Sequence, residues 1–313
     1  MRSPKILNYE VRPCKFVERR LLLQSLYQIT SSLKIKYQYV GFGGLTFTDF
    51  KLFHKELNID DMYSIEGCFT PQKLEFNKPF SCINILHGRS SQKLLKINLK
   101  IPSIVWLDYD GELTMDVFED ISILLNDLPH GSIYIMSCNR QLQNNKVDPQ
   151  RPYTNREFEA AFPGLVPFDI EDNCCAVVNA PKTIKKMVNS HCSKVLRERS
   201  RSGGDKLIFR PLYNIKYNER GAAKMYTYGG IILEEGFDEG NLYFNGFDFL
   251  NQEIPFEIDV PNITHKEALH LNQIINIDKE EADFIAKKII SPTDLEKYKQ
   301  FYKYMPNFYD VRL

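Results

Sequence analysis

Apolar positions along the chain fall into short continuous runs separated by stretches with helical spacing. Five runs read as strands: Tyr37 to Val40, Met62 to Ile65, Ser81 to Leu86, Ile104 to Leu107 and Ser132 to Ser137. Between them, Phe50, Phe53 and Leu57 repeat at helical spacing with Asp49 in the first turn, and Thr70-Pro71 has the form of a helix start. Val117, Ile121, Leu124 and Leu128 form a buried stripe behind Thr114, with Asp116 and Glu119 near its positive end. The fourth run, Ile-Val-Trp-Leu, is apolar throughout, as a strand covered on both faces must be. Upstream, residues 16–29 predict an amphipathic helix with Val17, Leu21, Leu22, Leu26 and Ile29 on one face and Glu18, Arg19, Arg20 and Gln24 off it. This alternation predicts an α/β fold: a doubly wound, mostly parallel, Rossmann-like sheet with ligands at the carboxyl ends of its strands.

Beyond the fifth run the pattern changes. Gln141 to Asn155 is polar and proline-bearing and reads as a loop, and Ala176 to Asn179 reads as a further strand. Thr183 to Arg201 has helical spacing. Lys206 to Tyr217 and Ala223 to Leu233 are β-rich and joined through Asn218-Glu219-Arg220-Gly221, a hairpin that would finish the sheet with positive φ at Gly221. From Asp238 onward, proline-broken segments carry two expected capping boxes, Thr264 with Glu267 and Asp278 with Glu281, a last helix from Ser291 and an aromatic tail. The division expected is an N-terminal helical cap (1–35), a Rossmann-like domain (36–235) and a C-terminal aromatic-rich helical extension (236–313).

Composition narrows the functional classes. With 40 Lys and Arg against 40 Asp and Glu, no global field draws the chain to nucleic acid or membrane, so any such affinity is local. The local candidate is the basic segment Pro181 to Arg210, where Lys182, Lys185, Lys186, Arg197, Arg199 and Arg201 could meet nucleic acid or an acidic partner. A solvated helix face explains the same residues and is the favoured reading. The seven cysteines are scattered without metal-ligand spacing, which points to reduced thiols in a cytoplasm and gives no metal site. Neither a secretory leader nor a membrane-length apolar run is expected.

The polar clusters all follow predicted strands. Gly41-Phe42-Gly43-Gly44 ends the first, Glu66 the second, His87-Gly88-Arg89-Ser90-Ser91 the third, Asp108-Tyr109-Asp110-Gly111-Glu112 the fourth, and Cys138-Asn139-Arg140 the fifth. Glycines permit positive φ and close ligand approach. An acid at the second strand end can accept hydrogen bonds from two ribose hydroxyls. Strand, glycine turn, helix, strand, acid is the order that holds a ribonucleoside cofactor over a parallel sheet.

With these residues in place, Tyr37 to Asn139 resembles the class I S-adenosylmethionine-dependent methyltransferases, and among them the metal-dependent small-molecule O-methyltransferases. The resemblance implies S-adenosylmethionine as cofactor. Gly41, Gly43 and Gly44 would hold its amino-acid end, Glu66 its ribose, and Gly88, Arg89 and Ser90 its adenine. Asp108 and Asp110 would face the acceptor as base or anchor for O- or N-methyl transfer. Two positions depart from the family pattern. Cys138 stands where a metal-binding Asp is expected, and Gly111 where a catalytic Lys is expected, so no metal is assigned. A dinucleotide is disfavoured because Thr46 and Thr48 lie where its third glycine would be. The alternatives are a catalytically silent scaffold that binds a protein or nucleic-acid partner and, lower, a nicotinamide enzyme.

Overall fold

The structure, a computed structural model, describes residues 12–143, 151–218, 223–242 and 246–305. The five apolar runs form strands β1 (Gln38–Gly41), β2 (Asp61–Glu66), β3 (Ile83–His87), β4 (Ser103–Glu112) and β5 (Ile133–Asn139). All neighbouring pairs among them are parallel. The predicted hairpin strands are β6 (Leu207–Asn218) and β7 (Lys224–Glu234), with β7 antiparallel to both β5 and β6. The expected turn at Gly221 lies outside the described residues. A short strand β8 (Phe256–Ile258) adds parallel to β6, giving the order β3-β2-β1-β4-β5-β7-β6-β8.

Helices cover both faces, which is why β4 and β5 are apolar at successive positions. Helices α1 (Pro13–Leu33), α2 (Thr48–Leu57) and α3 (Pro71–Asn77) pack on the face that carries Tyr39, Trp106 and Ile135. Helices α4 (Ser90–Leu94), α5 (Met115–Asp127), α6 (Asn155–Ala161) and α7 (Ala180–Arg201) pack on the face of Val105, Leu107 and Met136. The parallel arrangement brings the carboxyl ends of five strands to one rim. Register fixes the neighbours there: Gly41 pairs with Ser64 and Trp106, Glu66 with His87, and Asp108 with Ser137.

Several expectations are corrected. Strand β4 does not stop at Leu107 but runs to Glu112, with an irregularity between Asp108 and Glu112. Residues 176–179 form turns leading into α7 rather than a strand, because the Ala176 and Asn173 backbones close on each other instead of on the sheet. The Thr264 and Glu267 box forms at the start of α8 (His265–Ile274). The Asp278 box does not: Ile277 is the N-cap of α9 (Asp278–Ala286), and Glu281 reaches back to the Asn276 N–H at 2.7 Å. Ser291 caps α10 (Pro292–Phe301). The three C-terminal helices share a small core of Leu271, Ile274, Phe284, Leu295 and Tyr298. Leu242, Phe249, Ile258 and Phe301 instead join the sheet core, so the extension beyond residue 235 is partly built into the main layer.

Phe53 sits at the centre of the α2 face, with its ring 4.8 Å from Tyr39 and 6.2 Å from Trp106. It is completely buried. Phe53→Ala is expected to destabilise the fold by about 3–5 kcal/mol, read as a lower urea midpoint at unchanged slope.

Candidate active site

The turn after β1 is built by crowding as much as by glycine freedom. Only Gly44 of the three glycines has positive φ, at +53°. A Cβ on Gly41 would lie 2.4 Å from the Tyr39 hydroxyl, and one on Gly43 would lie 2.3 Å from Ser64 Oγ. The chain's own side chains, not positive φ, thus exclude larger residues at these two positions. Gly44 faces open space. The Phe47 N–H donates to the Gly43 carbonyl at 3.0 Å, closing the turn before α2. On the adjoining strands, Glu66 accepts the Cys68 N–H at 2.6 Å, which fixes its carboxylate at the rim. Gly88 adopts φ +141° and donates its N–H to the Glu66 carbonyl at 3.0 Å. Ser90 begins α4 behind an exposed Arg89. The glycines, Glu66, Gly88, Arg89, Ser90 and Asp108 therefore lie along one rim. The side chain of Asp110 is outside the described residues.

Beside this rim lies a buried charge cluster that amphipathic periodicity hid. Glu18 and Arg19, expected off the packed face of α1, are both inside. Arg19 grips Asp49 through two bonds, Nε to Oδ1 at 2.6 Å and Nη2 to Oδ2 at 3.1 Å, and reaches Asp108 Oδ2 at 3.0 Å. Its guanidinium carbon lies 4.7 Å over the Trp106 ring. Lys15 Nζ meets the same Asp108 oxygen at 2.6 Å. Burial pushes the Asp108 carboxyl up, but the Lys15 and Arg19 charges outweigh it and hold the group below its ordinary value. Asp108 is thus an ionised hydrogen-bond acceptor near neutral pH. Its other oxygen, Oδ1, is buried without a hydrogen-bond partner. Ser64 Oγ and Asp120 Oδ1 share that state. Asp120, on α5, accepts the Tyr109 hydroxyl at 2.7 Å, and burial pushes its pKa up to about 6.

Glu18 closes the cluster from the sheet side. It accepts from Tyr217 at 2.9 Å and from Thr227, while Ser137 joins Thr227 at 2.7 Å and accepts the Trp106 Nε1–H at 2.9 Å. Complete burial, opposed by Arg19 and reinforced by Asp108, pushes the Glu18 pKa up to about 7. No local signal marked Lys15, Glu18 or Arg19, whose partners come from α2, β4, β6 and β7. The hint available was a run of charges in the same turns as the apolar stripe.

A family model described as "Putative O-methyltransferase" matches residues 7–313. The chain belongs to this family. Among solved structures it is similar to an O-methyltransferase family protein from Burkholderia thailandensis (8% identity, 70% of this chain and 57% of that one, TM-score 0.34). It is also similar to human N-acetylserotonin methyltransferase in complex with S-adenosylmethionine (9%, 68% and 51%, 0.35). A third is Trm1 from Pyrococcus horikoshii with S-adenosyl-L-methionine (9%, 70% and 56%, 0.43). The chain spans a little over half the length of these three. No curated protein sequence matches it.

Within that family frame, Cys138 is a core residue. Its side chain is buried on the α5 and α7 face, whereas Asp108 leaves the sheet on the α1 face. Burial pushes the Cys138 thiol far up. The basic helix is largely engaged. Lys182 pairs with Glu171, Lys185 with Glu253 and Lys186 with Asp169. Arg199 donates to the Leu125 and Leu128 carbonyls at the end of α5, at 3.0 and 2.7 Å. Arg197 and Arg201 are exposed. Among the described residues no helix is long and apolar enough to cross a membrane.

Glu18 gives a pH signature. Its folded pKa, about 7, lies above its unfolded value of 4.5. The folded state then holds a proton that the unfolded state releases, so this contribution is full below pH 4.5 and is lost as pH rises through 7. The shift corresponds to about 3 kcal/mol. Glu18→Gln is expected to remove this slope, so that urea unfolding at pH 5 and pH 8 brackets a larger loss in the parent chain than in the variant. In contrast, Arg19→Leu strips the Asp49 carboxylate of its buried cation and leaves Asp108 with Lys15 alone, and is expected to cost about 3–5 kcal/mol at neutral pH.

Proposed function

We propose that the chain transfers the methyl group of S-adenosylmethionine to a hydroxyl-bearing acceptor held at Asp108. The observation that carries this reading is the state of that carboxylate: one oxygen locked by two cations, the other buried and unpartnered on the rim that also carries the glycine turn and Glu66. Buried polar atoms are nearly always satisfied, and an orphan acceptor at a rim calls for a ligand donor. The donor set fits the cofactor. S-adenosylmethionine brings an ammonium, two ribose hydroxyls and an adenine amino group, and the rim offers acceptors on Glu66, Ser64 and Asp120. Open space at Gly44 leaves room beside them.

The bound cofactor supplies an electrophilic methyl group on a sulfonium. The chain supplies position. Glu66 accepts from the ribose, with its own geometry fixed by the Cys68 N–H. Asp108 Oδ1 accepts the acceptor hydroxyl and aligns its oxygen, and in-line placement alone supplies much of the rate. Lys15 and Arg19 keep Asp108 ionised, so it holds the hydroxyl proton as an acceptor and takes it only as the oxygen gives up charge to the new bond. Glu18, bonded to Arg19 Nη1 at 3.2 Å, positions that cation rather than touching substrate.

Calorimetry should detect S-adenosylmethionine binding that weakens at least tenfold in Glu66→Ala, the loss of one or two charge-assisted bonds. Asp108→Asn should keep cofactor affinity within a few-fold while lowering methyl transfer to a panel of phenols and catechols by about a hundredfold. Absence of cofactor binding, or binding indifferent to Glu66, would remove the reading.

A further inference from the structure

The opposite rim of the sheet, at the amino ends of β2 and β3, carries a second chemical cluster. His54 stands in the last turn of α2. Asn58 then takes a left-handed conformation, φ 53°, which reverses the chain and brings Asp60 back under the imidazole. Asp60 Oδ1 lies 3.2 Å from His54 Nδ1, and Cys82 Sγ, just ahead of β3, lies 3.8 Å from the same nitrogen. All three ligand atoms fall within 4.8 Å of one another. The imidazole packs against the Phe80 ring, with centroids 4.3 Å apart and the planes tilted by 42°.

We infer that His54, Asp60 and Cys82 form a binding site for a borderline-soft divalent cation of the zinc class. One imidazole nitrogen, one thiolate and one carboxylate suit zinc or cobalt(II) rather than magnesium, which prefers an all-oxygen set. In a tetrahedral zinc site, nitrogen and oxygen ligands stand about 3.3 Å apart and sulfur about 3.5 Å from nitrogen, from the usual bond lengths. The His54 to Asp60 pair, at 3.2 Å, already meets this, and the His54 to Cys82 pair, at 3.8 Å, needs to close by a few tenths of an ångström. The Cys82 to Asp60 edge closes by a side-chain rotation of the exposed Asp60. Three protein ligands leave a fourth position for water. Without a cation these groups oppose one another: burial and the Asp60 charge push the Cys82 thiol up. A divalent cation reverses that, taking the thiolate as its proton leaves to solvent. His54 Nδ1 now lies 3.0 Å from the Ile59 carbonyl, as an N–H donor would. On binding, that proton moves to Nε2 and Nδ1 becomes the ligand. The bound ion would tie the end of α2 to the starts of β2 and β3, far from the cofactor rim, and the site rests on none of the functional reading above.

The test uses the full chain stripped by chelator and titrated with cobalt(II). The expected result is stoichiometric binding with a thiolate-to-cobalt charge-transfer absorption, and a raised thermal midpoint when zinc replaces cobalt. Cys82→Ser should abolish the absorption, and His54→Ala should weaken binding at least tenfold. Asp60→Asn, at an exposed position that does not threaten folding, should weaken it several-fold. Absence of the absorption in the parent chain would overturn the site. So would its persistence in Cys82→Ser, which would move the metal to another thiol such as the Cys174 and Cys175 pair, whose sulfurs are 3.6 Å apart.

Discussion

The guanidinium of Arg19 is the point on which the rim depends. It is planar, always charged and able to donate along five directions, so one side chain can hold several carboxylates at fixed angles. Here it binds Glu18 on its own helix, Asp49 at the start of α2 and Asp108 within β4. Each of these groups is nearly or wholly shielded from water. Desolvating so many charges is costly, and their mutual attraction offsets this only while the geometry is complete. The cluster therefore fixes where α1 sits on the sheet, and any loosening of α1 would expose unpaired charge.

That constraint also shapes the chemistry. The resemblance to metal-dependent O-methyltransferases places a divalent cation at the position of Asp108. In this chain the positive charge at that carboxylate comes from Lys15 and Arg19, both delivered by α1. Gly111 stands where the family pattern has a lysine, and Cys138 faces the opposite layer. A pair of side-chain cations can hold a carboxylate ionised and oriented as an ion would. It offers no open coordination position, and Asp108 Oδ1 is left buried without a hydrogen-bond partner.

Much of the architecture was legible in periodicity. Apolar runs that change character every few residues can satisfy backbone hydrogen bonds and bury both faces only as a parallel sheet between helices. From that follows the shared rim, since parallel strands end on one side. Less legible were features whose cause is not local. The strand β8 is three residues from a segment read as helical extension, and pairing with the β6 edge, not its own composition, makes it a strand. Residues 176–179 have strand-like composition, yet their backbone bonds close locally, Ala176 N–H to the Asn173 carbonyl and Asn179 N–H to the Ala176 carbonyl, and they turn instead.

By itself the sequence determined the alternation of strands and helices, the place of the glycine turn, and the arrival of Glu66 at a strand end, because these follow from side-chain periodicity and backbone conformational limits within a few residues. Only the tertiary structure decided that Lys15, Glu18 and Arg19 are inside. Their partners lie 30, 89 and 209 residues along the chain, and a charged side chain enters a core only where opposite charge already waits. The same holds for His54, Asp60 and Cys82, which share no recognisable spacing until a left-handed turn at Asn58 and the β2 to β3 pairing bring them together.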